Sequence, residues 1–325
     1  MLKFVSARTS RTNLAKLMNW LTIATIAYFL IALQTMLDKF LLTSRRVEHP
    51  VVYAFYSGVL SFFTLILFPF GLHAIGAVLF LKYLLAGAVF TYGIFLLFTA
   101  IQKSEASRVI PVVGAVIPIA TYFFSILLLH DNLSGAKLWG ALVLIIGGLL
   151  ISWTRPEKKG DGHGFFEGFY GTILAGILLA AAYTFFKLFY VKDNFLDVFI
   201  WTRLGLFAGA ASFLFFTPWR KAIFSSLSNF KKPTHEQQSS GTLFVSNKII
   251  GGVGSVLVNF AMSLGNVTVV NALVAVEYAF IFLLGIGLTF WLPQVFQEKM
   301  DWKHSLQKIS AILIITVGIV LVSKI

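Results

Sequence analysis

Residues Trp139–Ser152 read WGALVLIIGGLLIS, and they can be laid over ISAILIITVGIVLV, Ile309–Val322, so that Gly148 falls on Gly318. One span earlier, a nearby register lays Pro111 over Asn271, Ile117 over Glu277 and Pro118 over Tyr278. The longer connection LPQVFQEKMDWKH before the last apolar segment accounts for the change of register. Similarity at one long spacing is the mark of an internally repeated fold. The competing explanation is a match of two apolar sequences by composition alone.

Apolar runs close to spanning length recur outward from these two stretches. They cover 18–40, 51–70, 74–101, 107–129, 136–153, 169–190, 196–218, 243–264, 268–290 and 308–323. Each is expected to be a helix, because hydrocarbon offers the backbone no hydrogen-bond partner. Five helices per repeat is an odd number, so the second copy enters the membrane from the opposite side. The expected fold is therefore an all-α polytopic membrane protein, its ten transmembrane helices forming two inverted five-helix repeats. The first repeat occupies 18–153, a connecting loop 154–168, and the second repeat 169–323. The polar stretch Trp219–Thr242 is read as a linker, with an amphipathic surface helix at its start as the alternative.

Composition agrees. The chain has 325 residues, 58% of them hydrophobic and only 12% charged, where a soluble domain carries about 25% charged residues. The net charge of +13 suits loops lying against anionic headgroups. No basic patch interleaved with aromatics points to nucleic acid. Cysteine is absent, which excludes disulfides, thiolate metal sites and a cysteine nucleophile. The basic start MLKFVSARTSRTNLAK is followed by an apolar run without a clear cleavage end, so it is read as leading into a retained first helix. Positive charge is heavier on the side opposite the N-terminus, while the N-terminal cluster pulls the other way, and the orientation of the termini stays open.

Charged side chains within the spans draw attention because they are costly there, roughly 2.5–3.5 kcal/mol at a helix centre. Glu277 sits in NALVAVEYAFIFLLG, Asn271–Gly285, near the middle of the expected span 268–290. Three readings are open. It exchanges a proton, or binds a cation or cationic solute, during transport. It forms a fixed ion pair with a neighbouring helix. Or it is a polar packing site. The basic residues suited to pair with it are Arg203 and Lys248, each of which also has a snorkelling explanation. Arg203 is the stronger of the two, since its planar head grips a carboxylate with two hydrogen bonds, whether from Glu277 or from a solute. Lys82 is explained by snorkelling or a shifted boundary. Asn259, Asn271, Tyr278 and Trp201 are the neutral groups placed to complete a binding site, with belt or packing roles as their plain alternative. The glycines of LIIGG, Leu144–Gly148, and IIGGVGS, Ile249–Ser255, point to close helix crossing. Pro111 and Pro118 are expected to initiate or kink their helix. Asn132-Leu133-Ser134 and Asn266-Val267-Thr268 match glycosylation triplets of the kind that arise by chance. Motifs of zinc proteases, serine hydrolases and nucleotide-binding loops are missing. No enzymatic activity, metal or cofactor is expected.

The segment SEASRVIPVVGAVIPIATYFFSILLLHDNLSGAKLWGALVLIIGGLLIS, Ser104–Ser152, resembles the EamA family of the drug/metabolite transporter superfamily. The family pattern is a helix rich in small residues, a polar or acidic residue followed by proline, a leucine run, an acidic turn and a glycine-rich helix. Pro118 matches the proline, Ile117 replaces the polar residue, and Leu127–Leu129 match the run. His130–Asp131 stand in for the acidic turn, and Gly140, Gly147 and Gly148 match the last helix. In the second half Glu277 takes the polar position and Tyr278 replaces the proline. Arg203 lies where the family often carries an arginine. The resemblance implies a ten-helix secondary transporter of a small organic metabolite or drug-like solute, preferably an exporter, in the plasma (inner) membrane. Its partners would be that solute, membrane lipids and, through Glu277, protons, with the chain acting as a monomer or a homodimer. The alternative is a non-transporting membrane scaffold or accessory protein.

Overall fold

The structure, a computed structural model, describes residues 20–37, 49–70, 72–103, 106–131, 133, 135–152, 165–228, 235–291 and 302–323. The basic N-terminal stretch, Asn132, the first part of the connection between the halves and the connection 292–301 lie outside the described residues. The described chain is helical apart from short connections. Among the described residues, eight helices are long and apolar enough to cross a membrane, which makes this an integral multi-pass membrane protein. Two further apolar helices, Gly135–Ile151 and Leu306–Val322, are shorter. The expected spans 136–153 and 308–323 are these two.

In chain order the helices are α1 (Trp20–Leu37), α2 (Pro50–Leu60), α3 (Ala77–Lys103), α4 (Ala106–Phe124), α5 (Gly135–Ser152) and α6 (Phe165–Lys192). They continue with α7 (Phe195–Ser212), α8 (Thr217–Ser228), α9 (His235–Leu264), α10 (Val267–Ala272), α11 (Val274–Trp291) and α12 (Trp302–Ser323). Pro50 opens α2, where its missing N–H and fixed φ cost nothing. The tighter 3-10 turns of Ser61–Phe70 prolong α2 to spanning length. A wide π turn at Ser125–Leu129 ends α4, and His130 stops it in the left-handed region at φ 51°. Pro118 lies inside α4 without ending it.

Two differences from the sequence reading have physical causes. The stretch read as linker folds as α8 at its start, because Trp219 and Ile223 share one face and pack inward, Ile223 fully buried. The chain then enters α9 as early as His235. The expected span 268–290 is interrupted at Leu273, where Val276 N–H bonds Leu273 O (2.8 Å) in the tighter i, i+3 pattern.

The helices group into two compact units that interleave along the chain. One holds Met1–Lys39, Asp131–Ile151 and Ser246–Ile325, and the other Phe40–His130 and Ser152–Val245. In the first, α5 and α12 run antiparallel through a glycine seam. A Cβ on Gly140 would come 2.9 Å from Val322 N, one on Gly318 2.8 Å from Leu144 Cγ, and one on Gly147 3.2 Å from Ile315 N. The expected close crossing at LIIGG is therefore present. α1 lies on Gly251 and Gly254 of α9 through Gln34 and Ile31, again as the glycine stretch implied. In membranes such seams matter because packing, with no hydrophobic drive between helices, supplies the association energy.

In the second unit, α6 packs on α3 and α4, and α7 packs on α2 and α3. The closest approach is backbone on backbone: Gly205 of α7 faces the carbonyls of Tyr83 and Leu84, and Gly87 of α3 faces Thr202 and Leu206. Only glycine lets two helices come this near. The seam fixes α7, which carries Arg203.

Candidate functional site

The seven polar and aromatic residues singled out in the sequence fall into both units. Glu277, Tyr278, Asn271, Asn259 and Lys248 belong to the α1 unit, Arg203 and Trp201 to the α3 unit.

In the α1 unit the break at Leu273 moves Glu277 from mid-helix into the first turn of α11. There its negative charge meets the positive end of the helix dipole, a favourable place for a carboxylate. The hydroxyl of Thr35, on α1, donates to Glu277 Oε1 (3.3 Å). Glu277 is half-buried and Thr35 exposed, so the carboxylate meets an accessible surface. Among the described residues of its own unit, no basic group lies within ion-pair distance of it. Two turns earlier on the same face of α1, the Tyr28 hydroxyl donates to Val270 O (2.8 Å) beside the helix break. Phe29 packs edge-on against Phe280 and completes the contact of α1 with α11.

The start of α10 is fixed from the turn before it. Asn266 caps the helix, its Oδ1 accepting from Val269 N–H (3.1 Å), while its Nδ2 donates to Asp131 Oδ2 (2.6 Å). The glycosylation triplet at Asn266 is thus a helix cap, and Thr268 within it is buried. Asp131, from the acidic turn noted in the sequence, has an anchoring role here.

Asn271 is buried in α10. Tyr278, half-buried, runs beside Gly148 of α5. Asn259 is buried and its Nδ2 donates back to Ser255 O (2.8 Å) within α9. Lys248 is half-buried on α9 beside the fully buried Asn247.

In the α3 unit Arg203 is 6% exposed. Its Cζ sits 4.6 Å from the centroid of the Phe199 ring, one turn back on α7. Phe199 continues a stack through Phe195 to Tyr190. A buried guanidinium lined by aromatic faces gains cation–π attraction that strengthens as water leaves. Trp201 points elsewhere: its Nε1 donates to His73 O (3.4 Å) and its ring meets Phe80 edge-on. His73 is clamped in turn by Asp197, which accepts from the His73 backbone N–H (2.8 Å) and meets its Nδ1 (2.9 Å). Asp193 accepts from the Tyr83 hydroxyl (2.6 Å). These carboxylates flank the start of α7, Asp197 tying it to the loop before α3 and Asp193 to α3 itself. Lys82 is exposed, as snorkelling requires.

Sequence reading found Glu277, Arg203 and Lys248 and missed Thr35, Tyr28 and Asp197. A seven-residue spacing of hydroxyl groups on one face of α1 was the signal for the first two.

A known crystal structure, described only as that of a protein, is similar in fold: TM-score 0.64, covering 92% of this chain and 95% of that one, at 15% identity. At that identity the likeness concerns fold alone. No curated protein sequence matches the chain. Residues 18–153 match the model of the EamA-like transporter family, within the drug/metabolite transporter superfamily. Over residues 18–153, this multi-pass membrane protein is similar to the EamA-like transporter family.

Proposed function

We propose that the chain is a secondary active transporter of a small organic solute, working by alternating access, with export as the preferred direction and protons as the coupling ion. It would act in the plasma (inner) membrane. The observation that carries this reading is the environment of Glu277. A carboxylate in the first turn of an interrupted membrane helix, held by a neutral hydroxyl and half-open to its surroundings, is able to gain and lose a proton without breaking an ion pair of its own unit. Interrupted helices presenting their ends to polar groups recur at transporter binding sites.

The ten-span inverted repeat is part of the proposal, with 18–153 and 169–323 as its halves and 154–168 between them. Three packing relations support it. The two stretches aligned through Gly148 and Gly318 lie in α5 and α12, which pack antiparallel on each other. α6, the first helix of the second half, packs on α3 and α4. α1, the first helix of the first half, packs on α9 and on α10–α11. Each half thus lends its first helix to the third and fourth helices of the other, as an exchange of equivalent elements requires. Under this correspondence Ile117 occupies the place of Glu277, so only the second half carries the carboxylate.

In this reading Glu277 couples transport to protons, and Arg203 orients an anionic group of the solute. Tyr278 and Asn271 serve the Glu277 end, and Trp201 holds the loop before α3. Asn259 and Lys248 contribute from α9. The test is a proteoliposome assay with a pH-reporting dye in the lumen and panels of amino acids and nucleosides as probes. At least one probe class should move protons with the wild-type protein and fail to do so with Glu277→Gln. Solute transport that ignores an imposed pH gradient would rule out the coupling.

A further inference from the structure

One end of the α3 unit carries a cavity of about 600 Å³ that none of the groups above uses. Two helix ends and α8 form it. His49 and Pro50 come from the start of α2, Thr99 and Gln102 from the end of α3, and Lys221 and Ser225 from α8. Its apolar wall is Val51, Phe95 and Trp219. The volume is in the range of sites that hold a compact organic ligand.

The wall is rigid. Trp219 packs against Phe95, Phe213 and Phe216, with ring centroids 4.9, 5.5 and 4.5 Å apart. Ile223 is fully buried, and the Tyr56 hydroxyl lies 2.9 Å from Ser226 Oγ, fastening α8 to α2. With α8 fixed inward by Trp219 and Ile223, Lys221 and Ser225 occupy one face at the cavity rim. They are one helical turn apart and both exposed. His49 and Gln102, also exposed, face the same opening.

What surrounds the opening distinguishes a lipid from a soluble anion. Phe215 is 87% exposed, and Phe216 and Phe224 are exposed beside it. Arg220 is exposed next to Lys221. Phe224 lies one turn after Arg220 and Lys221 on the same exposed side of α8, and Phe215 and Phe216 just precede the helix; exposed aromatic and basic side chains placed together suit the headgroup layer. A cavity with an apolar back, a rim of ammonium, imidazole and amide donors, and lipid-seeking aromatics at its edge matches one chemistry: a phosphate ester carrying acyl chains. Phosphate oxygens take charge-assisted hydrogen bonds from such a rim.

We propose that this cavity is a binding site for the phosphate headgroup of an anionic phospholipid, held by Lys221 and His49 with Gln102 and Ser225, its glycerol backbone against Trp219 and Phe95.

The experiment is native mass spectrometry of the full chain, released from micelles containing equal phosphatidylglycerol and phosphatidylcholine. The wild type should retain phosphatidylglycerol preferentially. Lys221→Glu should lower that retention about fivefold or more, the scale of one basic contact at an anionic surface. Ser225→Trp, which fills the cavity without changing charge, should lower it as well. Lys82→Glu, an exposed basic residue near the other end of α3, should leave it unchanged. The proposal is overturned if Lys221→Glu and Ser225→Trp both retain phosphatidylglycerol like the wild type, or if Lys82→Glu loses as much as Lys221→Glu. Inorganic phosphate, added against a sulfate control of equal ionic strength, should not displace the lipid. Displacement specific to phosphate would overturn the lipid as ligand and assign the cavity to a soluble phosphate. Loss of solute transport in Lys221→Glu with lipid retention intact would also overturn it, placing the cavity on the solute's path.

Discussion

Substituting Gly87 by alanine tests the backbone seam that positions Arg203. The new Cβ would lie 2.6 Å from Leu206 N and 2.7 Å from the Gly205 carbonyl carbon, and closer still to Thr202 O. Ordinary contact begins at 3.4 Å. All three neighbours are backbone, so no side chain can rotate away and α3 must move off α7. Overpacking of this kind costs about 1–3 kcal/mol. The absence of any yielding group favours the upper end. Alanine returns up to about 1 kcal/mol through its better helix propensity. The net expectation is a loss of about 2 kcal/mol. Gly252→Ala is the matched control, because nothing lies within 4 Å of its added Cβ and it sits in α9. It should keep or gain stability, up to about 1 kcal/mol. Both are measured by unfolding titration in mixed micelles, followed by tryptophan fluorescence. A Gly87→Ala protein as stable as Gly252→Ala would refute the seam. Displacement of α7 should also weaken whatever Arg203 binds, so the Gly87→Ala protein should show reduced transport under conditions where it remains folded.

Other consequences are equally concrete. Asn266→Ala removes the cap on α10 and the amide bond to Asp131 together, and should lower stability by about 2 kcal/mol in the same titration. Asp197→Ala should release the loop before α3. Amide exchange at His73, whose N–H the carboxylate now holds, should accelerate by about tenfold or more, the scale of one lost charge-assisted bond. Thr35→Val should impair proton-coupled transport while Thr35→Ser preserves it, because only the hydroxyl reaches Glu277. Equal activity of the two variants would exclude that contact from the coupling.

How much of this was legible in the sequence depended on the kind of signal. The glycines of α5 and α9 announced close crossing, since glycine in a membrane helix has few other uses, and the structure places α12 and α1 on them. Glu277 and Arg203 stood out because charge is rare in an apolar run. Their partners did not stand out. Thr35 and Tyr28 reach α10–α11 from 242 positions away, and single hydroxyls are common in membrane helices, where they often bond their own backbone. Nor was the break at Leu273 visible. No glycine or proline marks it, and leucine is a good helix former. It changes the chemistry of Glu277 by moving it to a helix start. Asn266 shows the opposite case. Asparagine just ahead of an apolar run is a capping signal, which the overlapping glycosylation triplet obscured. The first turn of α8 carries Arg220 and Lys221 and looks like linker, yet Trp219 and Ile223 one turn apart suffice to seat it.

The central claim is alternating access at Glu277, and it can be tested without knowing the solute. The chain contains no cysteine, so a single Thr35→Cys thiol, whose S–H keeps a donor beside the carboxylate, is a clean reporter. Sealed vesicles of defined orientation would be treated with a membrane-impermeant thiol reagent from one side and then the other, with Ala32→Cys as the buried control. The account predicts that Thr35→Cys reacts from both sides, that an imposed pH gradient raises one rate while lowering the other, and that Ala32→Cys stays protected. A Thr35→Cys thiol that reacts from neither side, with or without the gradient, would contradict the carrier and leave a membrane scaffold in its place.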